Sequence, residues 1–152
     1  MKKLFNFALY DFANSAFTTI IITFIFATYF AKQIAPNPIL GQSYWGWAIG
    51  ITGLLVALIG PLLGSFADKK NCTGLFIKLF TIICIILTSF LWFSKPSEKY
   101  LFYTLIIVGL ANFFYELSII FYNSILKKIS SSKNLGKSFF FFKQKTAYEV
   151  EV

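Results

Sequence analysis

The sequence predicts an all-α membrane protein with four transmembrane helices. Of its 152 residues, 57% are hydrophobic and only 13% are charged, and the mean hydropathy is +0.71. A soluble domain of this length does not need so much apolar surface. Four apolar runs, at about 7–31, 44–67, 75–94 and 100–126, are each long enough for a bilayer, which takes roughly 20 residues.

The positions of the lysines orient these four runs. The connections at 32–43 and 94–99 hold one and two lysines, whereas lysines cluster at the N-terminus, around the middle connection and after the fourth run. Under the positive-inside rule, this distribution places both ends and the middle connection in the cytoplasm. The net charge of +8 therefore indicates contact with anionic lipid rather than with nucleic acid.

The first apolar run begins with polar residues that are costly in lipid. Asp11 and Asn14 lie just inside it, and a central charge costs about 2.5 kcal/mol or more on insertion scales. Asp11 either reaches the cytoplasmic interface or shares a bundle-facing surface with Asn14, Ser15 and Thr18, at helical offsets of three, four and seven. These polar residues also favour an uncleaved first span over a signal peptide.

The second run carries a stripe of small residues. Successive members are four and three positions apart, so they share one helical face on which another helix can approach closely. The stripe consists of Gly46, Gly50, Gly53, Ala57, Gly60 and Gly64. Because any tightly packed membrane bundle uses such a face, the stripe predicts helix packing and names no substrate.

The fourth run contains an acidic residue far from either end, whereas the third run is typical of packing or lipid-facing surface. Asn112, Glu116 and Asn123 share one helical face. At about 1.5 Å per residue, Glu116 lies roughly 22 Å along the helix from Leu101. Apolar surroundings disfavour the charged form of a carboxyl group, so Glu116 is a candidate proton carrier. The alternative is a structural carboxyl bonded to a neighbouring helix, through Asn14 or Tyr10.

The sequence gives little support to an enzyme or to a metal protein. It has no histidine, and its two cysteines, Cys72 and Cys84, lie in a polar loop and in the middle of an apolar run. Neither a disulfide framework nor a zinc or iron site follows from that arrangement. No nucleophile–base pair and no phosphate-binding loop is visible either. We therefore predict a protein without enzymatic activity, metal or cofactor.

Three motifs resemble one transporter family. The segment 8–17 contains Tyr-Asp-x-Ala-Asn-Ser-Ala-Phe, which resembles the N-terminal signature of the vacuolar amino-acid effluxer branch of the major facilitator superfamily. That branch has many bacterial members. Gly64, Asp68 and Lys69 match the superfamily's cytoplasmic-loop motif, and Ile-Phe-Tyr-Asn at 120–123 is similar to the same family. The resemblance covers about residues 8–138.

The resemblance implies an N-terminal fragment of a transporter, the first part of a six-helix bundle within about twelve helices. It implies export of amino acids or similar small solutes by alternating access, in a bacterial inner membrane with the N-terminus in the cytoplasm. The partners would be the small-molecule substrate, the lipid bilayer and the remainder of the chain, without nucleic acid. The residues expected along the polar pathway or in ion coupling are Asp11, Asn14, Asn112 and Glu116.

The same resemblance assigns a gating role to Gly64, Asp68 and Lys69, since this loop in the family makes charge contacts that stabilise one gating state. By composition alone, the loop is only a solvated, orienting turn. It also departs from the family pattern. Asn71 replaces the usual glycine, and Cys72 and Thr73 stand where basic residues are usual, which predicts a thinner charge network.

The tail after residue 138 does not continue the family pattern. Its heptapeptide 143–149, Lys-Gln-Lys-Thr-Ala-Tyr-Glu, resembles the translation of a short-read sequencing adapter. We expect residues 1–138 to be the transporter part and 139–152 to be foreign; the alternative is an amphipathic tail at the membrane surface.

Two other functions compete with this interpretation. One is a small four-span exporter that works as a dimer; such exporters rely on a glutamate well inside the first helix, where this chain has Asp11 near the entrance. The other is a membrane subunit or scaffold without transport activity, which leaves Glu116 unexplained.

Overall fold

The computed structural model describes residues 9–10, 12–70 and 72–129, with all of their side chains except those of residues 68 and 126–129. Within this part, four helices are long and apolar enough to cross a membrane, and there is no strand. We name them α1 (Phe12–Ile34), α2 (Pro38–Lys69), α3 (Thr73–Phe90) and α4 (Leu101–Ile129). The predicted all-α, four-span membrane fold is confirmed.

Helix α1 is irregular. It contains two π-helical stretches, Phe17–Thr23 and Phe30–Ile34, with a short α-helical segment, Ile25–Tyr29, between them. At the junction, the amide of Phe24 donates to the carbonyl of Thr19 at 3.1 Å, five residues back. A π turn holds more residues than an α turn, so the side-chain faces before and after it are out of phase.

Helix α2 begins at Pro38, well before the apolar run that starts at 44. Asn37 caps it, because its Oδ1 accepts a hydrogen bond from the amide of Leu40 at 2.8 Å. Proline is favoured as the first residue of a helix, where its missing N–H costs nothing. The connection between α1 and α2 therefore shrinks to residues 35–37.

A close crossing joins α1 and α2 near this turn. A Cβ atom added at Gly41 would lie 2.7 Å from the Cα atom of Ala31 and 2.9 Å from the Cβ atom of Ala35. Only a residue without a side chain allows the two backbones to approach this closely.

Helix α4 is the most buried of the four and packs against all the others. One apolar cluster lies toward the 35–37 end of the bundle and includes Phe30, Trp45 and Val108. A second lies toward the α2–α3 turn at 70–72 and includes Phe80 and Phe121. Each cluster takes residues from at least three helices, so α4 serves as the common packing partner.

Trp45 of α2 is the central aromatic residue of the first cluster. Its ring centroid lies 5.3 Å from that of Phe30 and 6.2 Å from that of Phe26. Its indole Nε1 donates to the carbonyl of Ile22, within the first π-helical stretch, at 3.2 Å. Trp45 therefore packs against α1 and also satisfies one of its backbone carbonyls.

Candidate functional site

Tyr10, just before α1, contacts two other helices at once. Its hydroxyl oxygen lies 2.9 Å from Thr81 Oγ1 on α3 and donates to Ser118 Oγ on α4 at 3.4 Å. Its ring stacks on that of Tyr122, with centroids 5.0 Å apart. Ser118 in turn donates to the carbonyl of Tyr115 at 2.7 Å. This hydroxyl cluster joins the start of the first span to α3 and α4.

Asn14 lies between two contacts that face α4. Tyr10, four residues earlier, contacts α4 as described, and Phe17, three residues later, packs on Tyr115 with ring centroids 4.8 Å apart. Thr18 also donates to the hydroxyl of Tyr115, at 2.8 Å. Offsets of four and three share a helical face, so Asn14 also faces α4. Among the described residues, its Nδ2 atom is buried and has no hydrogen-bond partner.

Asn112 connects α4 to α2. It is buried, and its Nδ2 donates to Thr52 Oγ1 at 3.1 Å. Thr52 donates onward to the carbonyl of Ile49 at 2.9 Å. A Cβ atom added at Gly109 would lie 3.3 Å from Thr52 Cγ2, so the glycine permits the close approach. The predicted polar residue is thus part of a satisfied interhelical hydrogen-bond pair.

Glu116 lies on the same side of α4, between two contacts with α2. Asn112 is four residues before it, and Ile120, four residues after it, lies 2.9 Å through its Cδ1 from a Cβ atom added at Gly60. The side chain of Glu116 is half-buried. Within the described residues, it has neither a hydrogen bond nor an ion pair. Asn123, seven residues later, is exposed.

The three described pathway residues are therefore associated with two neighbouring faces of α4. Asn14 meets the face that carries Tyr115, whereas Asn112 and Glu116 lie on the face toward α2. In the described structure, no hydrogen bond joins Asn14 to Asn112 or to Glu116. Asp11 lies outside the described residues, so its role stays a prediction, as does the pathway role of the other three.

The predicted gating loop is described only in part. A Cβ atom at Gly64 would meet nothing within 4 Å, Lys69 is exposed, and the side chain of Asp68 lies outside the described residues. The neighbouring Lys70 places its ammonium 4.6 Å from the ring centroid of Phe66. The gating role stays a prediction. The tail at 139–152 likewise lies outside the described residues.

The stripe of small residues on α2 has one close contact in the described structure, at Gly60. Cβ atoms added at the other glycines would meet nothing within 4 Å; these are Gly46, Gly50, Gly53 and Gly64. Their packing role stays a prediction.

An apolar cleft of about 520 Å³ lies between α2 and α4. It is lined by large apolar side chains such as Trp47, Leu55 and Phe113, together with Thr52. Neither Asn14 nor Glu116 lines it. Within the described residues, no group of three or more His, Cys, Asp or Glu side chains is placed to bind a metal ion.

The sequence did not predict that Thr81 and Ser118 form hydrogen bonds with Tyr10. Thr81 lies in the third run, which the sequence indicates as packing or lipid-facing surface, yet it bonds Tyr10 across the bundle. Serine and threonine in apolar helices commonly bond a carbonyl of their own helix, as Thr88 does to Cys84. The residue type alone therefore does not signal an interhelical contact.

Comparison with known proteins supports the family that the motifs indicate. Residues 32–138 match the family model described as vacuole effluxer Atg22 like. The chain is also 32% identical, over 124 residues, to the uncharacterized MFS-type transporter YxiO of Bacillus subtilis (strain 168). That match covers 76% of this chain and 29% of the relative, so the chain spans less than a third of the length of YxiO.

No solved structure matches the chain. The family model covers α2, α3 and α4 and the last residues of α1. The four apolar helices agree with these matches, and the chain belongs to the Atg22-like vacuole effluxer family of MFS-type transporters.

Proposed function

We propose that the chain is the N-terminal part of a secondary transporter that moves amino acids or similar small solutes across a bacterial inner membrane by alternating access. The observation that carries the proposal is Glu116, a half-buried acid within a membrane-spanning helix that has no ionic partner among the described residues. An ionisable residue inside a membrane span raises the free energy of insertion, and such residues are found mainly where they serve a function, such as lining a substrate or ion pathway.

Glu116 is the proposed coupling residue. A carboxylate is costly in lipid, whereas its protonated form is much less so. Binding or release of a proton therefore changes the free energy of keeping the Glu116 side chain in its present surroundings. Its location beside α2 means that a small displacement of α2 relative to α4 alters those surroundings. The Asn112–Thr52 hydrogen bond one turn away is buried and satisfied, and it keeps the two helices in register at this point.

Asn14 is the proposed substrate-facing residue of α1, together with Asp11. Its buried Nδ2 is a donor, and an amide donor suits the carboxylate of an amino acid. Because the chain covers 29% of YxiO, we assign the opposite wall of the pathway to the remainder of the transporter. A site between two such halves, near the midplane, is the common arrangement for secondary transporters.

The lysine distribution supports a cytoplasmic N-terminus and a cytoplasmic α2–α3 turn. In this orientation, Lys69 and Lys70 lie exposed at the cytoplasmic end of α2. We assign the gating contacts to Gly64, Asp68 and Lys69, through charge interactions with helix ends of the complete transporter.

The first test is Glu116→Gln in the complete transporter, recovered from its genomic locus and reconstituted in proteoliposomes. The probe is a pooled set of radiolabelled amino acids. Glutamine keeps the shape of a protonated glutamate but cannot exchange a proton. We expect accumulation driven by a pH gradient to fall about tenfold, whereas counterflow exchange, which needs no net proton movement, remains.

Glu98→Gln is the matched control, because Glu98 is an exposed acid in the turn that leads into the same helix. It should leave both assays unchanged. Equal loss of accumulation and counterflow in Glu116→Gln would indicate a structural role instead. If both assays stay normal, Glu116 has no coupling role. A subunit or scaffold without transport activity would instead show neither accumulation nor counterflow in the unsubstituted protein.

A further inference from the structure

The hydroxyl of Tyr10 is part of a directed chain of hydrogen bonds. A phenol has one proton, and Tyr10 uses it toward Ser118, so Thr81 must donate to Tyr10 across the 2.9 Å contact. Ser118 then donates to the carbonyl of Tyr115. The hydroxyls of Tyr10 and Ser118 each accept one hydrogen bond and donate another, and hydrogen bonds in such chains strengthen one another.

These hydrogen bonds distinguish the side of the first span that faces α3 and α4 from its other sides. Lipid is as apolar as most side chains of α1, so burial alone hardly fixes the rotation of a helix in a membrane. On the opposite side, Phe12 and Ile20 are exposed and would tolerate either environment. The polar contacts of Tyr10 and Thr18, one at each side of Asn14, do specify the rotation.

We propose that Tyr10 is a positioning residue for Asn14: its hydrogen bonds to Thr81 and Ser118 hold the first span in the rotation that turns Asn14 toward α4. The inference rests on the pathway role proposed for Asn14. Tyr10 itself need not touch the transported solute. Its two bonds and its stacking on Tyr122 reach α3 and α4 together, so its loss releases the span from both helices.

The test compares Tyr10→Phe with Tyr29→Phe. Tyr10 lies just before α1 and Tyr29 lies within it. Each uses its hydroxyl to bond another part of the bundle, Tyr29 by donating to the carbonyl of Ser94 at 3.0 Å. Phenylalanine keeps the ring and removes only the hydroxyl. Tyr29 lies far along the helix from Asn14, so it controls for a general loss of one hydrogen bond.

The readout is the position of residue 14. In the complete transporter, Cys72 and Cys84, which are free thiols, are replaced by serine and alanine, and Asn14→Cys is introduced. A membrane-impermeant, positively charged methanethiosulfonate then reports the access of residue 14 to water. Asn14 is only partly buried as a residue, although its Nδ2 atom is covered, so we expect modification with Tyr10 intact. With Tyr10→Phe, the rate should fall roughly fivefold or more, as expected for two lost hydrogen bonds. Thr81→Val should reproduce part of the decrease.

Three results would overturn the proposal. The first is an unchanged modification rate in Tyr10→Phe, and the second is an equal decrease in Tyr29→Phe, which would indicate loosening of the whole span. The third is an Asn14→Cys thiol that stays unmodified with Tyr10 intact, which removes Asn14 from any water-filled pathway. The labelling needs no substrate, so an inert Glu116 with Tyr10-dependent labelling would reject proton coupling and leave the positioning role standing.

Discussion

Gly41→Ala is expected to destabilise the transporter by about 1–3 kcal/mol, the usual range for overpacking a close contact. The added Cβ would lie 2.7 Å from the Cα atom of Ala31, which is a backbone atom and cannot turn aside. Relief therefore requires α1 and α2 to separate at their crossing. Unfolding by titration with sodium dodecyl sulfate in mixed micelles, followed by tryptophan fluorescence, measures the change in free energy.

Gly74→Ala is the matched control for this substitution. Gly74 also lies in a helix, but a Cβ atom there would meet nothing within 4 Å. Alanine is favoured over glycine in helices by up to about 1 kcal/mol, so this variant should be neutral or slightly stabilised. Equal stability of the Gly41 and Gly74 variants would show that the crossing of α1 and α2 is looser than described.

Trp45→Ala is expected to lower the free energy of unfolding by about 2–4 kcal/mol. The lost contacts are the ring packing on Phe26 and Phe30 and the indole hydrogen bond to the carbonyl of Ile22. Lipid replaces part of the apolar contact, so the cost comes from packing and from an unsatisfied carbonyl rather than from exposure to water. The same mixed-micelle unfolding measures it.

Two further variants separate these contributions. Trp45→Phe keeps an aromatic ring and removes the indole N–H, so it should cost about 1 kcal/mol. Trp47→Ala removes the same side chain two positions away, where it is 69% exposed, and should change stability little. A Trp47 variant as unstable as the Trp45 variant would contradict the assignment of Trp45 to the packed cluster.

The number and approximate positions of the spans were predictable, because runs of apolar residues report burial in lipid whatever their neighbours are. The helix ends were less so. Residues 38–43 mix proline, glycine and polar residues with only two large apolar ones, and they were interpreted as a connection. Asn37 and Pro38 nevertheless start a helix there. A cap followed by proline is a local signal, and it was outweighed by hydropathy.

The contacts of the candidate site were predictable only in part. Equal spacing placed Asn112 and Glu116 on one face of α4, and the structure has both on the side toward α2. The partner helix cannot be read from one helix alone, so the Tyr10–Thr81 contact, 71 residues apart in sequence, was not foreseen. Glycine spacing has the same limit: Gly41 makes the closest backbone approach, outside the predicted stripe.

The irregular first helix has a consequence for local stability. Its first part contacts α3 and α4 through Tyr10 and Phe17. From Ile22 onward it contacts Trp45 of α2, through the Ile22 carbonyl and then through Phe26 and Phe30. Opening one half of α1 therefore need not break the contacts of the other. Amide hydrogen exchange in detergent should resolve the span into two groups of protection factors that meet near Phe24. In energetic terms, α1 then consists of two cooperative units that share one covalent helix.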